Sequence, residues 1–437
     1  HQAEVRGVVF SPDGRYLATG SADNTAKIIA VESGQTLHTI AHQAEVRGVV
    51  FSPDGRYLAT GSADNTAKII AVESGQTLHT IAYQGWVTGV VFSPDGRYLA
   101  TGSLDNTVKI TAVESRQTLH TITHQAEVWE VVFSPDGRYL ATRSRDNTAQ
   151  IIAVESGQTL HTIAHQAPVR GVVFSPDGST LATGSDDNRV KITAVESGQT
   201  LHTITHEAEV WEVVFSPDGR YLATGSLDNT AKIIAVESGQ TLHTIAHEAP
   251  VSGVVFSPDG RYLATVSLDN MVKITAVESR QTLHTITHQA EVWGVVFSPD
   301  GRYLATSSAD NMAQITAVQT GQTTTLQGHW NDITDIAWHS DGDRIATGSR
   351  DGTVRVWTRT GQELAVFPGH EGWVDQIRWD EEGRTLTSVA VDDNTVTIRT
   401  LPVETLEELI ARGCRWVRPY LTSNNKEMKE CEKYWEN

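Results

Sequence analysis

One feature dominates the sequence: it repeats itself every 41 residues. Units begin at His1, His42, Tyr83, His124, His165, His206, His247, His288, His329 and His370, ten copies with no linker between any two. Eight are near-identical, and the ninth and tenth have diverged. A fixed period of this length means each unit is one supersecondary module that buries its apolar face only against a neighbour. The 437-residue chain is therefore an array rather than a set of unrelated domains.

Within the first unit the apolar run VRGVVF ends at Ser11-Pro12-Asp13-Gly14, whose Pro at the second position and Gly at the fourth suit a type I turn. RYLATGS then runs to the Asp23-Asn24 turn, TAKIIAV to the Ser33-Gly34 turn, and QTLHTIA closes the unit. Each stretch is rich in β-branched residues and has strand length. Four short antiparallel strands per 41 residues make one blade of a β-propeller. The expected fold is all-β: ten four-stranded blades over residues 1–401, the last blade lacking its outer strand, followed by a helical tail over 402–437.

His at the unit start, FSPDG, LATGS, and Asp-Asn-Thr before a β-branched strand together resemble the WD repeats, over residues 1–401. The eponymous Trp-Asp pair is missing: Ile29-Ala30 or Thr111-Ala112 stand in its place, and only Trp357 keeps the Trp. The resemblance implies that His1, Thr19 and Asp23, and likewise His42, Thr60, Asp64 and His124, Thr142, Asp146, form a buried hydrogen-bond network within each blade. The same trio could pass for a hydrolytic triad. It recurs in almost every unit, however, whereas a nucleophile needs one cleft with an oxyanion hole. No enzyme activity is expected.

A second histidine series, His38, His79, His120, His161, His202, His243 and His284, falls on each fourth strand and is read as an exposed cross-strand feature. Residues spread around a rim do not converge as metal ligands must. No G-x-x-x-x-G-K-[ST] phosphate loop is present. Neither metal nor cofactor is expected.

The copies differ at three places. The fourth residue reads Glu4, Glu45, Trp86, Glu127, Pro168, Glu209, Pro250, Glu291, Asp332, Trp373. The sixth reads Arg6, Arg47, Thr88, Trp129, Arg170, Trp211, Ser252, Trp293, Thr334, Asp375, and the residue before the turn Asp includes Leu104, Arg145, Asp186, Leu227 and Arg350. The Ser-Pro-Asp-Gly and Glu-Ser-Gly turns hardly change in the first eight copies, apart from Arg116 and Arg280 in place of Gly. In WD repeats the three variable places share one face of the disc. Trp86, Trp129, Trp211, Trp293 and Trp373, with Arg6, Arg47, Arg170, Arg145 and Arg350, are therefore the expected partner-binding face. Trp and Arg are the residues most enriched at binding hot spots. Alternation of Val-Lys-Ile-Thr with Ala-(Lys/Gln)-Ile-Ile in the third strands reads as volume-conserving packing.

Formal charge is −19, nearly all of it on the repeats, which disfavours nucleic acid and anionic lipid as partners. No apolar run approaches the roughly 18 residues of a membrane span. The only cysteines, Cys414 and Cys431, lie in the tail, a usage that fits a reducing cytoplasm. Thr405 to Glu408 reads as a capping box opening a helix with Leu406, Leu409, Ile410, Val417 and Leu421 along one side, and a shorter helix is expected around Met428, Cys431 and Trp435. LEELIARGCRWVRPYL resembles the end of WD-repeat sensor regions in bacterial STAND-type signalling ATPases. With no Met at its start, the chain then reads as part of a longer one. The expectation is a monomeric protein- or peptide-binding sensor or scaffold. Its rival is an engineered or purely structural repeat ring without a ligand.

Overall fold

The computed structural model describes residues 1–379, 383, 385–392 and 395–402, the side chains of 391–402 excepted. The residues expected to form the tail helices, with Cys414 and Cys431, lie outside the described residues. The first unit forms strands β1 (Val5–Phe10), β2 (Tyr16–Ser21), β3 (Thr25–Ala30) and β4 (Thr36–Ala41), paired antiparallel in chain order. Eight further units repeat this four-stranded meander. Among the described residues the last contributes three strands, Trp373–Trp379, Thr385–Asp392 and Thr395–Pro402.

Local chemistry fixes each turn. In the first, Ser11 Oγ donates to Asp13 Oδ1 at 2.6 Å, the Tyr16 N–H returns to Ser11 Oγ at 2.9 Å, and Gly14 adopts φ 70°. At the second hairpin Asn24 takes φ 69°, a left-handed conformation that Asn tolerates better than most residues. A β-bulge separates Val5↔Ser21 from Gly7↔Gly20, leaving residue 6 outside the ladder, and the corresponding bulge recurs in the first hairpin of all ten units.

The cores lie between sheets, not within them. Ala18, Ala26, Ile28 and Ile40 of the first sheet close on Val46, Phe51, Leu58, Ile70 and Val72 of the second. Each following pair repeats the pattern. Successive sheets approach through their first strands, Val5–Phe10 lying beside Val46–Phe51. Val389 of the last sheet shares a cluster with Phe10, Leu17, Ile29 and Val31 of the first, and the Arg378 guanidinium lies 5.7 Å from the Phe10 ring, so the two ends of the array meet.

The alternating third strands have a polar side that volume alone did not reveal. Thr111, Thr275 and Thr316 are buried, and each meets a fourth-strand threonine: Thr118 at 3.1 Å, Thr282 at 3.1 Å and Thr323 at 2.9 Å. The Thr193 hydroxyl is buried without a partner.

Candidate binding face

The His, Thr and Asp at repeat positions 1, 19 and 23 meet inside eight of the blades. His1 Nδ1 lies 2.9 Å from Asp23 Oδ2 and Nε2 2.7 Å from Thr19 Oγ1. His42 makes the same contacts with Asp64 and Thr60, both at 2.9 Å, and His124 with Asp146 at 3.2 Å and Thr142 at 2.8 Å. Burial holds His42, His124, His165, His206 and His247 below the ordinary imidazole value of 6.5. With the ring neutral, Nδ1–H donates to the carboxylate and Nε2 accepts from the threonine.

Burial alone would raise the Asp64 carboxyl. The Thr66 hydroxyl, the Gln43 N–H and His42 outweigh it and bring Asp64 down to about 2. In blade 3 Tyr83 replaces the histidine, its hydroxyl meeting Thr101 Oγ1 and donating to the Thr101 carbonyl at 3.1 Å. Each trio is hydrogen-bonded within its own blade, in eight blades alike.

The second histidine series departs from the cross-strand reading. His38 Nε2 donates to the Glu73 carbonyl of the next blade at 3.1 Å; His120, His161 and His202 do the same to Glu155, Glu196 and Glu237 at 2.8, 3.1 and 3.0 Å. These rings clasp blade to blade. Each lies over a hairpin glycine: a Cβ on Gly75 would sit 2.3 Å from His38, and one on Gly157 2.2 Å from His120. Among the described residues, no group of three or more His, Cys, Asp or Glu is arranged to hold a metal ion.

The three variable places do come together. The N–H before each turn Asp donates to the carbonyl of the fourth residue: Leu104 to Trp86 at 2.8 Å, Arg145 to Glu127 at 2.8 Å, Arg350 to Asp332 at 2.8 Å. The sixth residue is the one the bulge expels from the ladder, which re-aims its side chain. Trp86, Trp211, Trp293 and Trp373 are 43%, 41%, 38% and 56% exposed, and Trp129 is half-buried.

Cations of the chain itself lie on most of these rings. The Arg47 guanidinium is 4.4 Å from Trp86, and Arg143 5.7 Å from Trp129. Arg350 is sandwiched between Trp293 and Trp373 at 4.2 and 4.4 Å. The arginines are also paired with acids: Arg6 with Glu4 at 3.0 Å, Arg170 with Asp186 at 2.7 Å, Arg145 with Glu127 at 3.4 Å, Arg350 with Asp332 at 3.0 Å, and Arg47 with Glu45.

Two residues were missed by comparing only three positions. Trp330, at the second place of the ninth unit, is 70% exposed. Arg143 replaces a residue that is Gly in six units, a substitution visible in the sequence but outside the places compared.

A meander of four-stranded blades whose variable residues gather at bulges and hairpin ends defines a repeat β-propeller. A family model described as the IFT122 first beta-propeller matches residues 127–400, and the WD domain, G-beta repeat, matches residues 1–29, 34–70 and 75–111. The chain belongs to the WD-repeat β-propellers. No curated protein matches it in sequence. Among solved structures, the crystal structure of the computationally designed Ika8 protein is similar, with TM-score 0.53 and 24% identity over 74% of this chain and 96% of that one. That likeness concerns the fold alone.

Proposed function

We propose that the ten blades close into one ring and that the face carrying Trp86, Trp129, Trp211, Trp293 and Trp373 captures a protein or peptide, without catalysis. The observation that carries this reading is four large rings left 38–56% exposed at two of the places where the repeats differ. Idle indoles would cost solubility, and exposed aromatic patches mark interaction sites. WD-repeat propellers typically bind protein partners, and a net charge of −19 disfavours nucleic acid. Within this reading the chain is a monomeric, cytoplasmic sensor or scaffold region of a larger bacterial signalling protein.

A second reading is a structural or designed ring without a ligand, supported by the near-identity of eight units. The variant Trp129→Ser/Trp211→Ser/Trp293→Ser separates the two. Ser252 already occupies the sixth place in a sister blade, so the fold is expected to persist with unchanged circular dichroism. Peptides captured by the wild-type protein from a displayed random library should be lost by this variant. A wild-type protein that enriches nothing, or a variant that captures equally well, defeats the binding face.

A further inference from the structure

Blades 4 and 6 share the strand VWEVVF, Val128–Phe133 and Val210–Phe215. In blade 4 Arg143 sits on the neighbouring strand, opposite Glu130 in the ladder. Its Nε donates to Glu130 Oε2 at 2.6 Å, its Nη1 donates to the Val169 carbonyl of the next blade at 3.3 Å, and its guanidinium lies 5.7 Å from the centre of the Trp129 ring. An aromatic face, a carboxylate and a backbone acceptor thus hold one guanidinium.

Blade 6 has every counterpart except the arginine. Trp211, Glu212 and the Val251 carbonyl stand where Trp129, Glu130 and the Val169 carbonyl stand, and Gly225 replaces Arg143 opposite Glu212. The Val251 carbonyl oxygen lies 3.3 Å from where a Gly225 Cβ would be, with the Glu212 Cβ at 3.4 Å. Among the described residues no cation lies over Trp211 or pairs with Glu212. Burial raises the Glu212 carboxyl above its ordinary value, as expected of an acid without a countercharge. Trp211 is 41% exposed, whereas Trp129 beneath Arg143 is half-buried.

We propose that Trp211, Glu212 and the Val251 carbonyl form a receptor for an arginine side chain of the partner polypeptide. Blade 4 carries the same receptor filled by the chain's own arginine. The inference rests on the binding face proposed above and names the chemistry that one blade of it recognises. A guanidinium fits better than an ammonium: its planar fork can donate to the carboxylate and the carbonyl while its face lies on the indole, which a point charge on a flexible stem cannot match. The neighbouring Glu209, whose Oε2 accepts from Trp211 Nε1 at 3.4 Å, also interacts with Arg170 of the preceding blade, so the uncompensated acid of the site is Glu212.

The test uses protein labelled with 15N at tryptophan, the Trp211 indole signal being assigned through Trp211→Phe. Titration with N-acetyl-arginine amide should shift that signal saturably, with N-acetyl-lysine amide at least 5-fold weaker. Glu212→Gln should weaken the arginine analogue at least 5-fold. Gly225→Arg, which copies blade 4, should abolish the response, and Arg143→Gly, which copies blade 6, should make the Trp129 indole responsive. No saturable shift in the wild type, equal affinity for the two analogues, or indifference to Glu212→Gln would overturn the proposal. If peptide capture still depends on the Trp set while the arginine titration fails, the face stands and the arginine receptor falls. If capture fails as well, the face itself is lost.

Discussion

Arg116 and Arg280 occupy a hairpin place that is glycine in the sister blades, and they hold φ 59° and 60° there. An L-residue in this left-handed region costs about 1–2 kcal/mol. A second cost lies across the blade boundary. His79 faces Arg116 where His38 and His120 face Gly75 and Gly157. Unlike His38 and His120, it makes no bond to the opposing carbonyl among the described residues, a loss worth about 1 kcal/mol that His284 over Gly321 shares. Arg116→Gly should therefore stabilise the protein by about 2 kcal/mol. With an unfolding entropy of about 2.1 cal/mol/K per residue over roughly 400 residues, that is a rise of about 2–3 °C in melting temperature, and about twice that with Arg280→Gly added. The converse variant, Gly157→Arg, drives a Cβ to 2.2 Å from His120, expels the ring from its 2.8 Å bond to the Glu155 carbonyl, and should lower the melting point by a similar amount. Differential scanning calorimetry of the three variants decides the matter. An unchanged or lower melting point for Arg116→Gly, with Gly157→Arg tolerated, would refute both the strain and the clasp.

Three further outcomes are expected. Thr224→Val removes the hydroxyl 2.8 Å from His206 Nε2 and leaves a buried acceptor unmet, so urea denaturation should show a loss of about 1–3 kcal/mol; a neutral result would mean the network carries no stability. Val190→Ala/Thr193→Ile, which copies the sister strands, deletes the unpartnered buried hydroxyl at nearly constant volume and should raise stability by about 1 kcal/mol in the same assay. Stability should fall with acid below about pH 7. The five histidines held below 6.5 by burial refuse protons that the unfolded chain accepts, so their contribution declines as pH drops through 6.5, and Asp64 and Asp228, both at about 2, add a second loss as pH falls below 3.8. Asp335, raised by burial to about 6, and Glu212 and Asp375, also raised by burial, run the other way but are three groups against five, so a urea midpoint that rises between pH 7 and pH 5 would contradict this balance.

The period, the turn chemistry and the strand lengths were legible because each depends on residues close in sequence. Pro12, Gly14 and Asn24 shape their own turns, and the 41-residue spacing sets the blade. The His–Thr–Asp trio was legible through family resemblance, since residues 18 and 22 apart meet only after two hairpins have folded. The histidine clasp was not, because its two halves are 35 residues apart and lie in different blades. Nothing in the alternation of β4 distinguishes a ring that faces solvent from one seated on the next blade's glycine. The one hint was indirect: the Glu-Ser-Gly turn is almost invariant, and a glycine kept against a Cβ-sized clash is what such a seat requires.

The proposed binding face shows the same division in sharper form. Its tryptophans announced themselves as edits against an otherwise constant text, but their arginines did not read as neutralised. Arg47 and Arg350 look like free cations in sequence, whereas in the fold each is paired with an acid of its own blade and stacked on an indole of the next. The face is thus less cationic than its composition implies, and its unmatched groups are acids and indoles. Blade 6 concentrates that excess. A single difference, Gly225 against Arg143, turns an internally satisfied Trp–Glu–carbonyl set into one that lacks its guanidinium. Repetition makes the gap measurable, because one copy of the unit shows what the other is missing.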